Sequence, residues 1–141
     1  MEKFEVLLER AHFETLMKTN RFDRGFLIGS LDSGLFVAQS SYRLPPGREL
    51  IVHTDIKQII SKALPECKAF IPYINDSDKN RQNGYAIALL QAEENTRLKR
   101  SFAYCIINGD VRFKRVVRYS GKEGYVFKDV LFGLRGEDSK G

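Results

Sequence analysis

With 141 residues, 43% of them hydrophobic, and 23 Lys and Arg against 18 Asp and Glu, the chain can close one hydrophobic core and carries a net charge of +5. No apolar run approaches the roughly 18 residues needed to cross a membrane, and Met1-Glu2-Lys3-Phe4-Glu5 lacks the apolar segment of a secretory signal. Two cysteines, Cys67 and Cys105, are too few for a disulfide framework and, flanked by strand-like or apolar residues, read as reduced, buried thiols of a cytoplasmic protein.

In chain order, Phe4, Leu7, Leu8 and Ala11 recur at helical spacing, which predicts a helix over 4–19 that stops near Asn20. Gly25-Phe26-Leu27-Ile28-Gly29 reads as a buried strand. Asp32-Ser33-Gly34 supplies a turn, and Leu35 onward to Tyr42 reads as the returning strand of a hairpin. Pro45-Pro46-Gly47 breaks regular structure before a short strand at 49–52. Thr54 or Asp55 caps a second helix, with Ile56, Ile59, Ile60 and Ala63 on one face and Pro65 as its stop. Lys68 to Ile74 alternates as a strand, with Pro72 suiting an edge or bulge. The stretch 75–84 has no apolar residue and reads as a mobile surface loop, followed by a strand over Tyr85–Leu90. An Asn108-Gly109 hairpin and a last strand over Tyr125–Phe132 complete the order. The expected fold class is α+β, a mostly antiparallel sheet with two helices packed on one face and a C-terminal β-meander. Residues 1–135 form one globular domain in this reading, and 136–141 a disordered tail.

The hairpin carries the clearest functional signal. A two-residue Asn-Gly loop would pair Ile107 with Asp110, Ile106 with Val111, Cys105 with Arg112 and Tyr104 with Phe113. One face would then hold Phe102, Tyr104, Ile106, Val111 and Phe113 as core. The other would hold Ala103, Cys105, Ile107, Arg112 and Lys114, with Arg118 beyond. Arg115 falls on the apolar side and calls for a carboxylate partner or an escape past the core edge. Residues 97–128 contain nine basic residues against Asp110 and Glu123, a local charge of +7. Such a concentration suits a nucleic acid or an acidic protein surface. The candidate binding residues are Arg97, Lys99, Arg100, Arg112, Lys114, Arg118, Tyr119 and Lys122. The cations would meet phosphates, and rings such as Tyr119 or Tyr125 would stack bases.

Catalytic chemistry has thinner support. His53 and Asp55, with Glu49 upstream, could serve a small hydrolase or nuclease, and His12 lies within the first predicted helix. The two histidines and two cysteines lack metal-site spacing. Asp76, Asp78 and Asn80 alternate like the start of a calcium loop, but no Glu closes it. No catalytic residue, metal or cofactor is therefore assigned.

Two resemblances rest on quoted residues. The leading helix, Gly25-Phe26-Leu27-Ile28-Gly29, Pro45-Pro46 and the 55–64 helix together resemble the start of an MPN/JAB domain. Active members of that family carry a His-x-His motif followed by Ser and Asp. The corresponding stretch here, Lys68 to Asp78, has no histidine, so the resemblance implies a metal-free scaffold. Asn108-Gly109-Asp110-Val111-Arg112-Phe113-Lys114-Arg115-Val116 is similar to the strand turn around the catalytic lysine of LexA-like self-cleaving repressors. That would make Lys114 a general base, but the Gly-x-Ser-Met nucleophile motif is missing and the role does not carry over. The expected function is a small binding protein whose basic hairpin face contacts nucleic acid or the machinery that handles it. The alternative is a protein-binding adaptor or regulator on a larger assembly.

Overall fold

Val6 and Leu8 are fully buried while Leu7 and Glu9 are half-buried, an alternation of period two that belongs to a strand. The computed structural model describes residues 4–44, 69–96, 103–118 and 124–135. In it β1 (Val6–Glu9) runs directly into a short helix, α1 (Arg10–Met17). The single helix expected over 4–19 is thus a strand followed by a helix. In so short a window the positions Phe4, Leu7, Leu8 and Ala11 match the helical template, while burial of Val6 and Leu8 decides for the strand. Leu16 of α1 is fully buried, and the Phe13 ring stacks on Phe132 at 6.1 Å.

The first hairpin stands where the sequence puts it. It comprises β2 (Arg24–Asp32) and β3 (Leu35–Arg43), with Ser33 (φ 53) and Gly34 (φ 83) supplying the left-handed turn. Its register shifts between Ile28 and Gly29, and a Cβ at Gly29 would lie 2.0 Å from the Val37 carbonyl oxygen. The strand at 49–52 and the helix at 55–64 fall outside the described residues.

Next comes β4 (Ala69–Asn75), which pairs with β2 on one side and with β5 (Tyr104–Ile107) on the other. Pro72 therefore lies in an internal strand, not at an edge. The ladder to β5 starts one residue later, at Tyr73, so the missing proline N–H falls just before that pairing begins. Between β4 and β5 runs α2 (Lys79–Thr96), where a surface loop and a strand were expected. Asp78 caps it: its Oδ1 accepts the Arg81 N–H at 3.1 Å. Strand β4, helix α2 and strand β5 form a crossover unit, and β4 and β5 are accordingly parallel. Both faces of β4 and β5 are buried, which explains their nearly continuous apolar sequence.

The chain then runs through β6 (Val111–Arg118), β7 (Tyr125–Val130) and β8 (Phe132–Arg135). The eight strands of the described residues form one sheet in the order β7-β6-β5-β4-β2-β3-β1-β8. The expectation of a mostly antiparallel sheet with two helices on one face is corrected. The pairs β1–β3, β1–β8 and β4–β5 are parallel, so the sheet is mixed. The two helices of the described residues lie against different faces: Leu16 of α1 joins the inner core with Phe36, Ile71 and Phe113, and Tyr85 and Ala86 of α2 join the outer cluster with Phe26, Phe70 and Tyr104. Strands β5, β6 and β7 do follow one another antiparallel, but β8 leaves the meander. Leu131 alone separates β7 and β8, which occupy opposite ends of the strand order. Only a strongly curled sheet brings its two ends that close. The inner core fills the curl, and Phe132 of β8 meets Phe113 of β6 across it, ring centres 5.1 Å apart.

Candidate functional site

The second hairpin turns through three residues, not two. The Asn108 N–H donates to the Asp110 carbonyl at 3.0 Å, Gly109 takes φ 70, and the Asp110 carboxylate accepts the Val111 N–H at 2.8 Å. The pairs are Ile107 with Val111, Ile106 with Arg112, Cys105 with Phe113 and Tyr104 with Lys114. The expected register is off by one, and the slip exchanges the two faces of β5. Ala103, Cys105 and Ile107 join Val111 and Phe113 in the inner core, while Tyr104 and Ile106 lie on the outer side with Arg112 and Lys114. Arg115, on the inner side, finds the carboxylate it needs: its guanidinium donates to Glu5 at 2.7 Å.

Helix α2 covers part of the outer face, and beside it the basic residues of the hairpin line a groove of about 220 Å³. Ile106 is its apolar lining. Gln82, Asn108, Asp110, Arg112 and Lys114 supply the polar groups. Arg112 lies 3.9 Å from Asp110, with both side chains 66% exposed, and the Lys114 ammonium lies 3.8 Å from Asp129. Such loose, solvated pairs contribute little and leave N–H groups available to a ligand. Tyr104 and Cys105 stay protonated at neutral pH: burial, reinforced by the charge of Asp129, pushes the Tyr104 phenol up to about 12, and burial raises the Cys105 thiol.

Beside the groove, the C-terminal end of β4 meets the loop between α1 and β2. The Asn75 side-chain amide donates to the Thr19 carbonyl at 3.1 Å and to its hydroxyl at 2.9 Å. The Phe22 N–H donates to the Asn75 carbonyl at 2.6 Å, and the Asn75 N–H to the Asp23 carbonyl at 2.8 Å. The Asp23 carboxylate accepts the Asn20 N–H at 2.8 Å and the Arg43 guanidinium at 3.0 Å. Together these bonds hold Phe22 at φ 72, a left-handed conformation unusual for a bulky residue, with the residue 53% exposed. The guanidinium of Arg21 lies 4.8 Å from the Phe22 ring centre and that of Arg81 5.4 Å.

Arg81 also forks onto Asp76, with bonds of 2.7 and 3.1 Å, and Asp76 is 1% exposed. Burial works against the ionised Asp76 carboxyl. The Arg81 side chain and the Asp78 N–H, with the charges of Arg81 and Arg21, outweigh it and lower the pKa below the usual carboxylate value. The Asp76 N–H donates to the Ile107 carbonyl at 3.1 Å, tying this corner to the hairpin. Gln82 donates to the Asp76 carbonyl and lines the groove.

Of the residues singled out from the sequence, Arg112 and Lys114 come together at one groove. Arg118 closes β6 opposite Tyr125. Arg97, Lys99, Arg100, Tyr119 and Lys122, like His53, Asp55 and Cys67, lie outside the described residues. Lys114 shares its groove with no serine among the described lining residues, so the LexA-like pairing has no counterpart there. His12 lies in α1. The corner formed by Arg21, Phe22, Asp76 and Arg81 escaped the sequence reading. Asp78 as an N-cap residue, ahead of the alanine- and leucine-rich stretch 86–92, is the helix-start signal that would have located it.

Compared with models of known protein families and with curated proteins, the chain matches none. No group of three or more metal-ligating side chains occurs among the described residues. No helix among them is long and apolar enough to cross a membrane.

Proposed function

We propose that this protein binds nucleic acid along the outer face of the β5–β6 hairpin. The observation that carries the reading is the placement of Arg112 and Lys114, two residues apart on β6, in one groove with the side-chain amides of Gln82 and Asn108. The cations can neutralise successive phosphates, and the amides can donate to phosphate oxygens or read base edges. Neither cation is locked in a short ion pair, so a phosphate competes with Asp110 and Asp129 on favourable terms. The net charge of +5 supports the same partner.

A protein-binding adaptor is the second reading, and one observation favours it. Asp110 and Asp129 match Arg112 and Lys114 in number, which suits a protein surface bearing charges of both signs. Fluorescence anisotropy with a labelled oligonucleotide of about 20 nucleotides separates the two. The nucleic-acid reading expects binding that weakens with salt and is lost in the double variant Arg112→Glu, Lys114→Glu with the fold intact by circular dichroism. Absence of binding at low ionic strength, together with a stoichiometric protein that the wild type retains after nuclease treatment and the double variant releases, would establish the adaptor instead.

A further inference from the structure

We infer that Phe22 is a stacking platform for an unpaired base, so that the strand taken up beside the hairpin is single-stranded. This rests on the nucleic-acid reading above and adds a ligand class to it. Phe22 is 53% exposed at φ 72, a backbone conformation in which a glycine would be relaxed. The loop is instead pinned from both sides, by Asn75 on Thr19 and on the Phe22 N–H, and by Asp23 on Asn20 and Arg43. A ring held in this way is organised before any ligand arrives.

The two guanidiniums beside the ring differ in their freedom. Arg81 is fixed by its fork onto Asp76, whereas Arg21 has the ring and no carboxylate ion pair among the described residues. Arg21 can swing from the ring to a phosphate as a base takes its place, leaving Arg81 behind the stack. The ring is linked to the groove through α2 and Asp76. Arg81 and Gln82 are neighbours on α2, Gln82 lines the groove, and Asp76 bonds both to Arg81 and to Ile107 of the hairpin. A strand with its phosphates on Arg112 and Lys114 therefore passes toward Phe22. Bases stacked inside a duplex offer no free face to such a ring, whereas unpaired bases do. Tyr125, the described tyrosine considered for stacking from sequence, is half-buried and its hydroxyl is engaged by Gln91 at 3.2 Å.

The test is anisotropy with single-stranded and duplex oligonucleotides of one sequence, using wild type, Phe22→Ala, Phe22→Gly and Phe22→Tyr. The wild type should prefer the single strand. Phe22→Ala and Phe22→Gly should weaken single-strand binding roughly ten- to a hundredfold and leave duplex binding unchanged, while Phe22→Tyr retains the preference. Glycine relaxes the φ of this position, so Phe22→Gly should keep or raise Tm; a ring with a merely structural role would lower Tm and affinity together. If single-strand binding is unchanged in Phe22→Ala but lost in Arg112→Glu, Lys114→Glu, the stacking inference fails and the hairpin reading stands. If the wild type binds neither oligonucleotide at low salt, both fail. Release of a nuclease-resistant protein by Phe22→Ala, without oligonucleotide binding, would assign the ring to a protein interface and overturn the inference.

Discussion

Asp76 shows how a single residue couples the fold to the candidate site. It is buried, yet it stays ionised because Arg81 and the Asp78 N–H stabilise the charge. Its pKa is lower in the folded chain than in the unfolded one, where a free Asp titrates at about 3.9. The unfolded state therefore binds more protons between the two values, and the contribution of Asp76 to stability is full above the unfolded pKa. It declines as pH falls through this window and is gone below the folded pKa. Urea denaturation of wild type and Asp76→Asn from neutral pH downward should show it: the wild type is the more stable at neutral pH, and the difference shrinks below about pH 4. A difference that is constant, or that grows on acidification, would show that the Arg81 fork does not hold the ionised form. From sequence, Asp76 and Asp78 looked like an incomplete calcium loop, because the partner that gives Asp76 its role is visible only once 79–96 is known to be helical.

The hairpins show at the scale of elements what local pattern can and cannot specify. The β2–β3 hairpin was legible because two apolar runs flank a Ser-Gly turn that requires positive φ at both positions. The β5–β6 hairpin was legible as a hairpin, but its register was not. Asp110 joins the loop by bonding its own strand, through its carbonyl to Asn108 and its carboxylate to Val111, and the pairing moves by one. Both faces of β5 are apolar, so its sequence offers no alternation that would have resisted the slip. Ile107 separates the two registers. In the structure it lies in the inner core, 2% exposed, whereas the two-residue loop would put it on the outer face. Ile107→Lys should destabilise the protein by about 3 kcal/mol or more, read by chemical denaturation; a change below about 0.5 kcal/mol would support the expected register. Helix α2 was missed for a different reason. Its polar first turns and Gly84 hid the helical period, and the run Tyr85–Leu90 fits a short buried strand equally well.

The curl of the sheet belongs to the whole molecule. Nothing local in β1, β4 or β8 announces parallel partners, because these pairings depend on where α1, α2 and the one-residue link at Leu131 send the chain. Phe132 joins the pieces, with its ring against Phe13 of α1 and Phe113 of β6 while its backbone pairs with Val6. Phe132→Ala should cost about 2–4 kcal/mol, somewhat below the usual range for a fully buried phenylalanine because the residue is half-buried. A loss under about 1 kcal/mol in denaturant titration would mean that the two ends of the sheet hold together without it. The adjacency of β6, β5, β4 and β2 in the sheet brings the hairpin, the start of α2 and the Phe22 loop to one corner, which no stretch of sequence reveals alone. A salt titration of single-strand affinity probes that corner as a unit. With Arg21, Arg112 and Lys114 each on a phosphate, log K should fall against log salt with a slope of about −2, shallower by about 0.7 for each cation neutralised singly. A flat salt dependence, or an unchanged slope in both Arg112→Gln and Lys114→Gln, would contradict a nucleic-acid site on the hairpin.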